Sequence, residues 1–232
     1  MKTEELYLAT IEGLLAVGQR YVTLILRAPP EAPPHAPGQY TQLEFADELG
    51  TFRKFYSIAS AARVDRCFDL CLLLDDPRLK QWVQRQTLGS VVHFARPQGR
   101  FFVPPLERRV LMLAGGSGVT PLRAILEARL LQGMDSAPAV LLFGCQNDLE
   151  IPFYEQLLAL EARFGERVRV RIFAEEVRAA RASHGRPLAV LQQHIAAQQE
   201  YLLCGPPAFM HAAQRALEEA GIAAQHIHQD RF

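Results

Sequence analysis

Long hydrophobic runs are missing from this chain. No stretch approaches the roughly 18 consecutive apolar residues a membrane-spanning helix needs, so no membrane insertion is expected. Charge imbalance is missing too. Lys+Arg and Asp+Glu both number 25, which argues against binding nucleic acid or an anionic membrane surface. The first residues, Met1-Lys2-Thr3-Glu4-Glu5, have no basic-then-apolar leader pattern, and a cytoplasmic location is expected. Cysteine is scarce and scattered, at Cys67, Cys71, Cys145 and Cys204, so no disulfide framework is expected. The C-x4-C-x2-C spacing of an iron–sulfur site is absent. No carboxylate or cysteine stands at metal-ligand spacing from His194, His211, His226 or His228, so no metal is expected either. Internal repeats and low-complexity tracts are also lacking.

What is present divides into two halves of different periodicity. Of 232 residues, 49% are hydrophobic and 22% charged, enough for a sizeable core. Up to about residue 105, short runs rich in β-branched and aromatic residues alternate with Gly, Pro and charged clusters. Tyr21–Leu26, Tyr40–Phe45, Phe68–Leu74 and Ser90–Phe94 read as strands of an antiparallel β-barrel or sandwich. Cys67 and Cys71, four apart, would share a strand face. Residues 29 to 37 are Pro-rich and read as a loop within this half. From residue 106 to 232 the pattern becomes strand, helix, strand, helix. Val110–Ala114, Val140–Phe143, Val168–Phe173 and Tyr201–Cys204 predict strands, and Pro121–Leu131, Phe153–Phe164 and Pro187–Ala197 predict helices. That is the pattern of an α/β domain with a parallel sheet.

Three stretches carry candidate chemistry. The first, Gly115-Gly116-Ser117-Gly118-Val119-Thr120-Pro121, lies between the first strand and first helix of the second half. Its glycines allow close backbone approach to a phosphate, with Thr120 expected as the helix N-cap and Pro121 as the first helical residue. The second, Cys204-Gly205-Pro206-Pro207, again joins a strand to a helix, and both would face the crevice at the strands' carboxyl ends. Read bluntly, they are a Gly-rich turn and a small buried thiol. In the third, Arg53-Lys54-Phe55-Tyr56-Ser57, an aromatic ring sits beside a hydroxyl and two cations, which is what a flavin site needs; a strand with an exposed basic end is the plainer reading.

Together these motifs resemble the ferredoxin–NADP⁺ reductase superfamily. Pro37-Gly38-Gln39-Tyr40 matches P-G-Q-[YF], and Lys54-Phe55-Tyr56-Ser57 matches R-x-Y-[ST] with Lys for Arg. Arg96-Pro97-Gln98-Gly99-Arg100-Phe101 approximates G-P-x-G-x-F, and Gly115 to Pro121 meets the nucleotide motif fully. Cys204 to Pro207 and Asp230-Arg231-Phe232 complete the order. The resemblance implies a β-barrel flavin-binding domain over 1–105 and an NAD(P)-binding domain of five parallel strands over 106–232. It implies Tyr56 stacked on the flavin, Ser57 near its N5, Cys204 beside the nicotinamide C4, and Phe232 on the flavin's other face. Ser57, Cys204 and Phe232 would then serve the hydride transfer. The nucleotide would be held by Gly115, Gly116, Ser117, Gly118, Thr120, Pro121, Gly205, Pro206 and Pro207.

The family's G-x-x-S phosphate turn falls near Pro77-Arg78-Leu79-Lys80, where Gly and Ser are lacking and Asp75 and Asp76 precede. Arg53, Lys54, Arg78 and Lys80 are the cations expected at the flavin phosphate, with FAD as the flavin and FMN as the alternative. Glu175, where NADPH users commonly place a Ser-Arg pair, favours NADH as co-substrate over NADPH. The resemblance implies a monomeric reductase without a fused ferredoxin domain, passing electrons to a ferredoxin, flavodoxin or oxygenase component. An NAD(P)H:flavin reductase and an electron-transfer subunit of a larger complex are the alternatives. Between Arg53 and Arg85 seven basic residues (Arg53, Lys54, Arg63, Arg66, Arg78, Lys80, Arg85) face four acidic ones, which predicts attraction of an acidic partner.

Overall fold

The computed structural model describes residues 5–133 and 136–230. Its first half is one antiparallel sheet of six strands: β1 (Leu6–Val17), β2 (Tyr21–Arg27), β3 (Tyr40–Asp47), β4 (Gly50–Ser57), β5 (Cys67–Leu73) and β6 (Val91–Ala95). The spatial order is β4-β3-β6-β1-β2-β5. The sheet curls until its edge strands β4 and β5 touch, yet no ladder joins them among the described residues, so the barrel stays open along that seam. Alternation explains the curl. In β3, Thr41, Leu43 and Phe45 are buried while their neighbours are not, and they meet Leu24, Leu26, Leu70 and Phe94 inside. A helix that the sequence reading treated as a turn, α1 (Pro77–Gln84), closes one end with Leu79, Trp82 and Val83.

The second half is a parallel sheet of β7 (Arg109–Gly115), β8 (Ala139–Asn147), β9 (Val168–Glu176), β10 (Ser183–His184), β11 (Gln199–Cys204) and β12 (Ile227–Asp230). Its order is β10-β9-β8-β7-β11-β12. Six strands replace the five expected, because the edge carries the two-residue β10. The helices are α2 (Val119–Gln132), α3 (Tyr154–Phe164) and α4 (Pro207–Glu219). The helix expected at Pro187–Ala197 is a 3-10 helix that ends at His194.

The two halves share a core. Tyr21, Ala59, Cys71 and Phe101 pack in one cluster with Val110, Met112, Leu122 and Phe143. A buried ion pair crosses the same boundary: Arg123 of α2 donates to Asp69 of β5 at 2.9 Å and to the Ala59 carbonyl at 2.9 Å.

Candidate functional site

One cavity of about 480 Å³ opens at the β4–β5 seam. Tyr56, Ser57, Cys71 and Leu73 line it from the barrel, Ser117 and Thr120 from the start of α2, and Asp230 from β12. Ser57 is 5% exposed, yet its Oγ and the buried Tyr56 hydroxyl make no hydrogen bond among the described residues. A buried hydroxyl left unpaired costs about 1–3 kcal/mol, which a ligand with matching donors or acceptors would recover. Burial, reinforced by Asp75 and Asp76, pushes the Tyr56 phenol up, so it remains a neutral donor. Burial likewise pushes the Cys71 thiol up to about 12. A planar ring with polar edge atoms fits this end.

The other end is different. Lys54 is the cation among the cavity's lining residues, and its Nζ lies 2.8 Å from Asp76 Oδ2. Asp76 Oδ1 accepts from the Arg78 backbone N–H at 2.9 Å, capping α1. The Lys54 ammonium, then the Arg78 N–H, hold the Asp76 carboxyl below the usual range. The remaining expected cations do not line the cavity. Arg53 sits opposite Glu44 in the β3–β4 register and bonds it at 2.7 Å. Arg78 makes a two-pronged contact with Asp47 at 2.6 and 2.7 Å, and Lys80 lies exposed on α1. Carboxylates hold five of the seven basic residues counted for partner attraction: Arg53 by Glu44, Lys54 by Asp76, Arg63 by Asp69, Arg78 by Asp47 and Arg85 by Glu48. The count within the window missed Glu44, Asp47 and Glu48, which β3 and its turn bring across.

A second cavity, about 470 Å³, lies at the carboxyl ends of β7, β8 and β9 against the start of α4. Four of its lining residues are glycines, Gly115, Gly116, Gly144 and Gly185, which bring main chain to its surface. Gly116 has φ +54, in the left-handed region. At Gly118 the reason for glycine is space: an added Cβ would stand 2.2 Å from the Cys204 carbonyl oxygen and 2.6 Å from the Gly205 nitrogen. Helix α2 begins two residues earlier than expected. Gly118 is its N-cap, and Thr120 instead turns its hydroxyl back to the Ser117 carbonyl at 2.6 Å. No side chain caps α2; a 3-10 turn, Gly116–Gly118, runs into it and its Gly116 and Ser117 carbonyls take the Val119 N–H, so an anion would meet the positive dipole end of that turn. The Gly-rich turn therefore faces both cavities, with Gly115 and Gly116 on the second and Ser117 and Thr120 on the first.

The remaining expected residues separate. Glu175 and Pro206 line the second cavity, and Glu175 is paired with Arg186 at 2.9 Å. Arg178 and Arg181 are held elsewhere, by Glu176 and over the Tyr154 ring. Pro121 is buried in α2, and Gly205 packs against Gly115 and Phe209. Pro207 opens α4 and is exposed. Cys204 is fully buried and lines neither cavity; burial, then the Asp230 charge, pushes its thiol up. Phe232 lies outside the described residues. Sequence reasoning gave no site role to Cys71 and Leu73 in the first cavity or to Arg20, Tyr21 and Phe209 in the second, and it named Asp75 only as preceding the phosphate turn. Tyr40 and Asp230, which line the first, stood inside quoted motifs without an assigned role.

Residues 112–215 match the oxidoreductase NAD-binding domain family. Over 201 residues, 85% of this chain, the protein is 29% identical to the ferredoxin reductase component of 3-ketosteroid-9-alpha-monooxygenase from Mycolicibacterium smegmatis, and the match covers 56% of that relative. The chain is thus similar to ferredoxin reductase components, and its second half carries the match to the oxidoreductase NAD-binding domain. Among solved folds, it resembles the FAD/NAD binding domain of nitric oxide dioxygenase from Vibrio cholerae, at TM-score 0.84 and 21% identity over 99% of both chains. It also resembles a ferredoxin NADP⁺ reductase from Neisseria gonorrhoeae with bound FAD and NADP, at TM-score 0.79 and 18% identity, covering 98% of this chain and 99% of that one. The two-sheet plan of these solved structures is therefore that of this chain, although it spans little more than half the length of the curated relative it matches. No helix among the described residues is long and apolar enough to cross a membrane.

Proposed function

We propose that the protein is a flavin-dependent NAD(P)H oxidoreductase, with a flavin unit over 1–105 and a nucleotide unit over 106–232. The observation that carries this reading is the turn from Gly115 to Thr120, one side on each cavity. A nicotinamide nucleotide held at the second cavity can thereby reach a ring seated in the first. A bound flavin accepts a hydride and gives up electrons singly. The chain's own part is placement: Tyr56 and Ser57 offer buried hydroxyls to the ring's polar edge, and Gly115 to Gly118 let the nucleotide phosphates approach the α2 N-terminus. Cys204, buried beneath the turn, acts as a positioning residue through the packing of Gly118 on its carbonyl. Phe232 is proposed for the open flavin face on the motif alone.

The electron acceptor is a ferredoxin, a flavodoxin or an oxygenase component, in line with the ferredoxin reductase component among the relatives. NADH is the preferred nucleotide, because Glu175 can accept from a ribose diol and repels a 2′-phosphate. Arg186, its ion-pair partner, is the group that opposes this preference. Two resembling structures make FAD the first flavin to test. Purified protein is examined for its flavin by mass spectrometry, then assayed with both nucleotides and with each class of acceptor. A protein that binds no flavin, or whose flavin NADH and NADPH both fail to reduce, sinks the reading. A second reading, in which flavin is an exchangeable substrate, is favoured by the occupied cations beside the first cavity.

A further inference from the structure

We propose that Asp76 is a resident anion occupying the donors a flavin phosphate would need, so that the first cavity holds flavin by its ring and gains nothing from the phosphate. The inference rests on the flavin reading and deepens it.

Lys54 is the single cation among the lining residues, and it is engaged by Asp76 at 2.8 Å. The first turn of α1 is largely taken. Pro77 has no N–H, and the Arg78 N–H goes to Asp76 Oδ1 at 2.9 Å. The Lys80 N–H goes to the Asp76 carbonyl at 3.0 Å. A helix start beside a cation is ordinarily an anion site, and here the chain fills it with its own carboxylate. The surroundings reinforce the exclusion. Asp75 also lines the cavity, so a carboxylate stands beside Lys54, the cation among the described lining residues. Arg78 cannot substitute while Asp47 and the Gly50 carbonyl hold it. The ring end shows the opposite condition. The Ser57 Oγ and Tyr56 hydroxyl are buried and unbonded among the described residues, which leaves recognition to the isoalloxazine.

For a phosphate to bind, Asp76 would have to leave its cap and its lysine. Each of those changes is unfavourable. The predicted behaviour is weak discrimination among flavins that share a ring and differ in the tail.

The test titrates flavin-free protein with riboflavin, FMN and FAD, following quenching of flavin fluorescence. Riboflavin and FMN are expected to bind within about threefold of each other, since loss of a charge-assisted contact worth more would separate them by tenfold or beyond. Asp76→Asn retains an N-cap oxygen for α1 but releases Lys54. FMN should then tighten by about tenfold while riboflavin moves less than about twofold. Adding Lys54→Ala to that variant should erase the gain. Thermal unfolding of each variant verifies that α1 and the barrel persist. FMN binding the unaltered protein ten-fold or more tightly than riboflavin would overturn the proposal alone. An Asp76→Asn protein that stays folded and treats riboflavin and FMN alike would overturn it as well. If none of the three flavins binds while NADH still does, the flavin reading itself fails.

Discussion

The two cavities are built from opposite materials. Side-chain groups make the first, with hydroxyls, a thiol and carboxylates projecting from β4, β5 and β12. In the second, glycines at the ends of parallel strands bring main chain to the surface beside side chains such as Glu175, Arg186 and Phe209. Sensitivity to mutation should therefore differ in kind. The first cavity is altered by removing atoms, and the second by adding them. That difference follows from alternation in an antiparallel edge, which points side chains into a seam, and from parallel strands, which end in turns whose N–H groups are free.

The largest effect should come from adding one carbon. Gly118→Ala places a Cβ against the Cys204–Gly205 backbone, which has no flexible end to retreat. A loss of about 3 kcal/mol is expected, at the upper end of overpacking, lowering Tm by roughly 6–12 °C for a chain of this size. Nicotinamide nucleotide affinity should fall with it. Unchanged melting and affinity would show that the two turns can separate, and the contrast between the cavities would collapse.

In the first cavity the matching experiment removes an oxygen. Tyr56→Phe and Ser57→Ala should leave the flavin-free protein as stable or slightly more stable, because each deletes an unbonded buried hydroxyl. Flavin affinity should drop about tenfold for each, equivalent to ~1.4 kcal/mol. Chemical denaturation paired with flavin titration reads both halves of the statement. Equal destabilisation with intact flavin binding would make these hydroxyls structural.

Nucleotide choice sharpens the second cavity, where Glu175 and Arg186 are paired and Arg20 lies over the Tyr21 ring. NADH should exceed NADPH in kcat/KM by about tenfold, ~1.4 kcal/mol in transition-state binding. Arg186→Ala should widen the gap and Glu175→Ala should narrow it. A tenfold preference for NADPH, lost in Arg186→Ala, would assign the arginine to the 2′-phosphate instead.

Smallest is Cys204→Ala. Removing one buried sulfur should cost about 1 kcal/mol. Stopped-flow flavin reduction at saturating nucleotide should slow several-fold, with nucleotide affinity nearly unchanged. An unaltered limiting rate would leave Cys204 with packing only.

Legibility varied along the chain for physical reasons. β2, β3, β5 and β6 were readable because β-branched and aromatic runs ended at Gly, Pro or charged clusters. β1 escaped because its outward positions are apolar too: Leu8 and Leu15 are each 47% exposed, which blurs the alternation. Helix α1 escaped because Asp76-Pro77 reads equally as a turn, and only Trp82 and Val83 meeting the barrel decide for a helix. At the site, the Gly-rich turn and Tyr56-Ser57 were legible because their chemistry is local. Cys71, Asp75 and Arg20 were not, since it is the curl of the barrel against the second sheet that brings them to a cavity. The occupied state of Arg53 and Arg78 was hidden for the same reason, as their partners Glu44 and Asp47 sit across a strand or a turn.

The carboxylate of Asp69 is served twice, and the two partners enter the world at different times. A ribosome delivers Arg63 just before Asp69, and their two contacts of 2.8 Å need only a turn of chain between them. Arg123, which takes Oδ2 at 2.9 Å and is 2% exposed, is made 54 residues later. The barrel can thus close during synthesis without stranding a bare charge in its wall. When α2 arrives, its arginine completes a socket already neutralised and ties the two halves together.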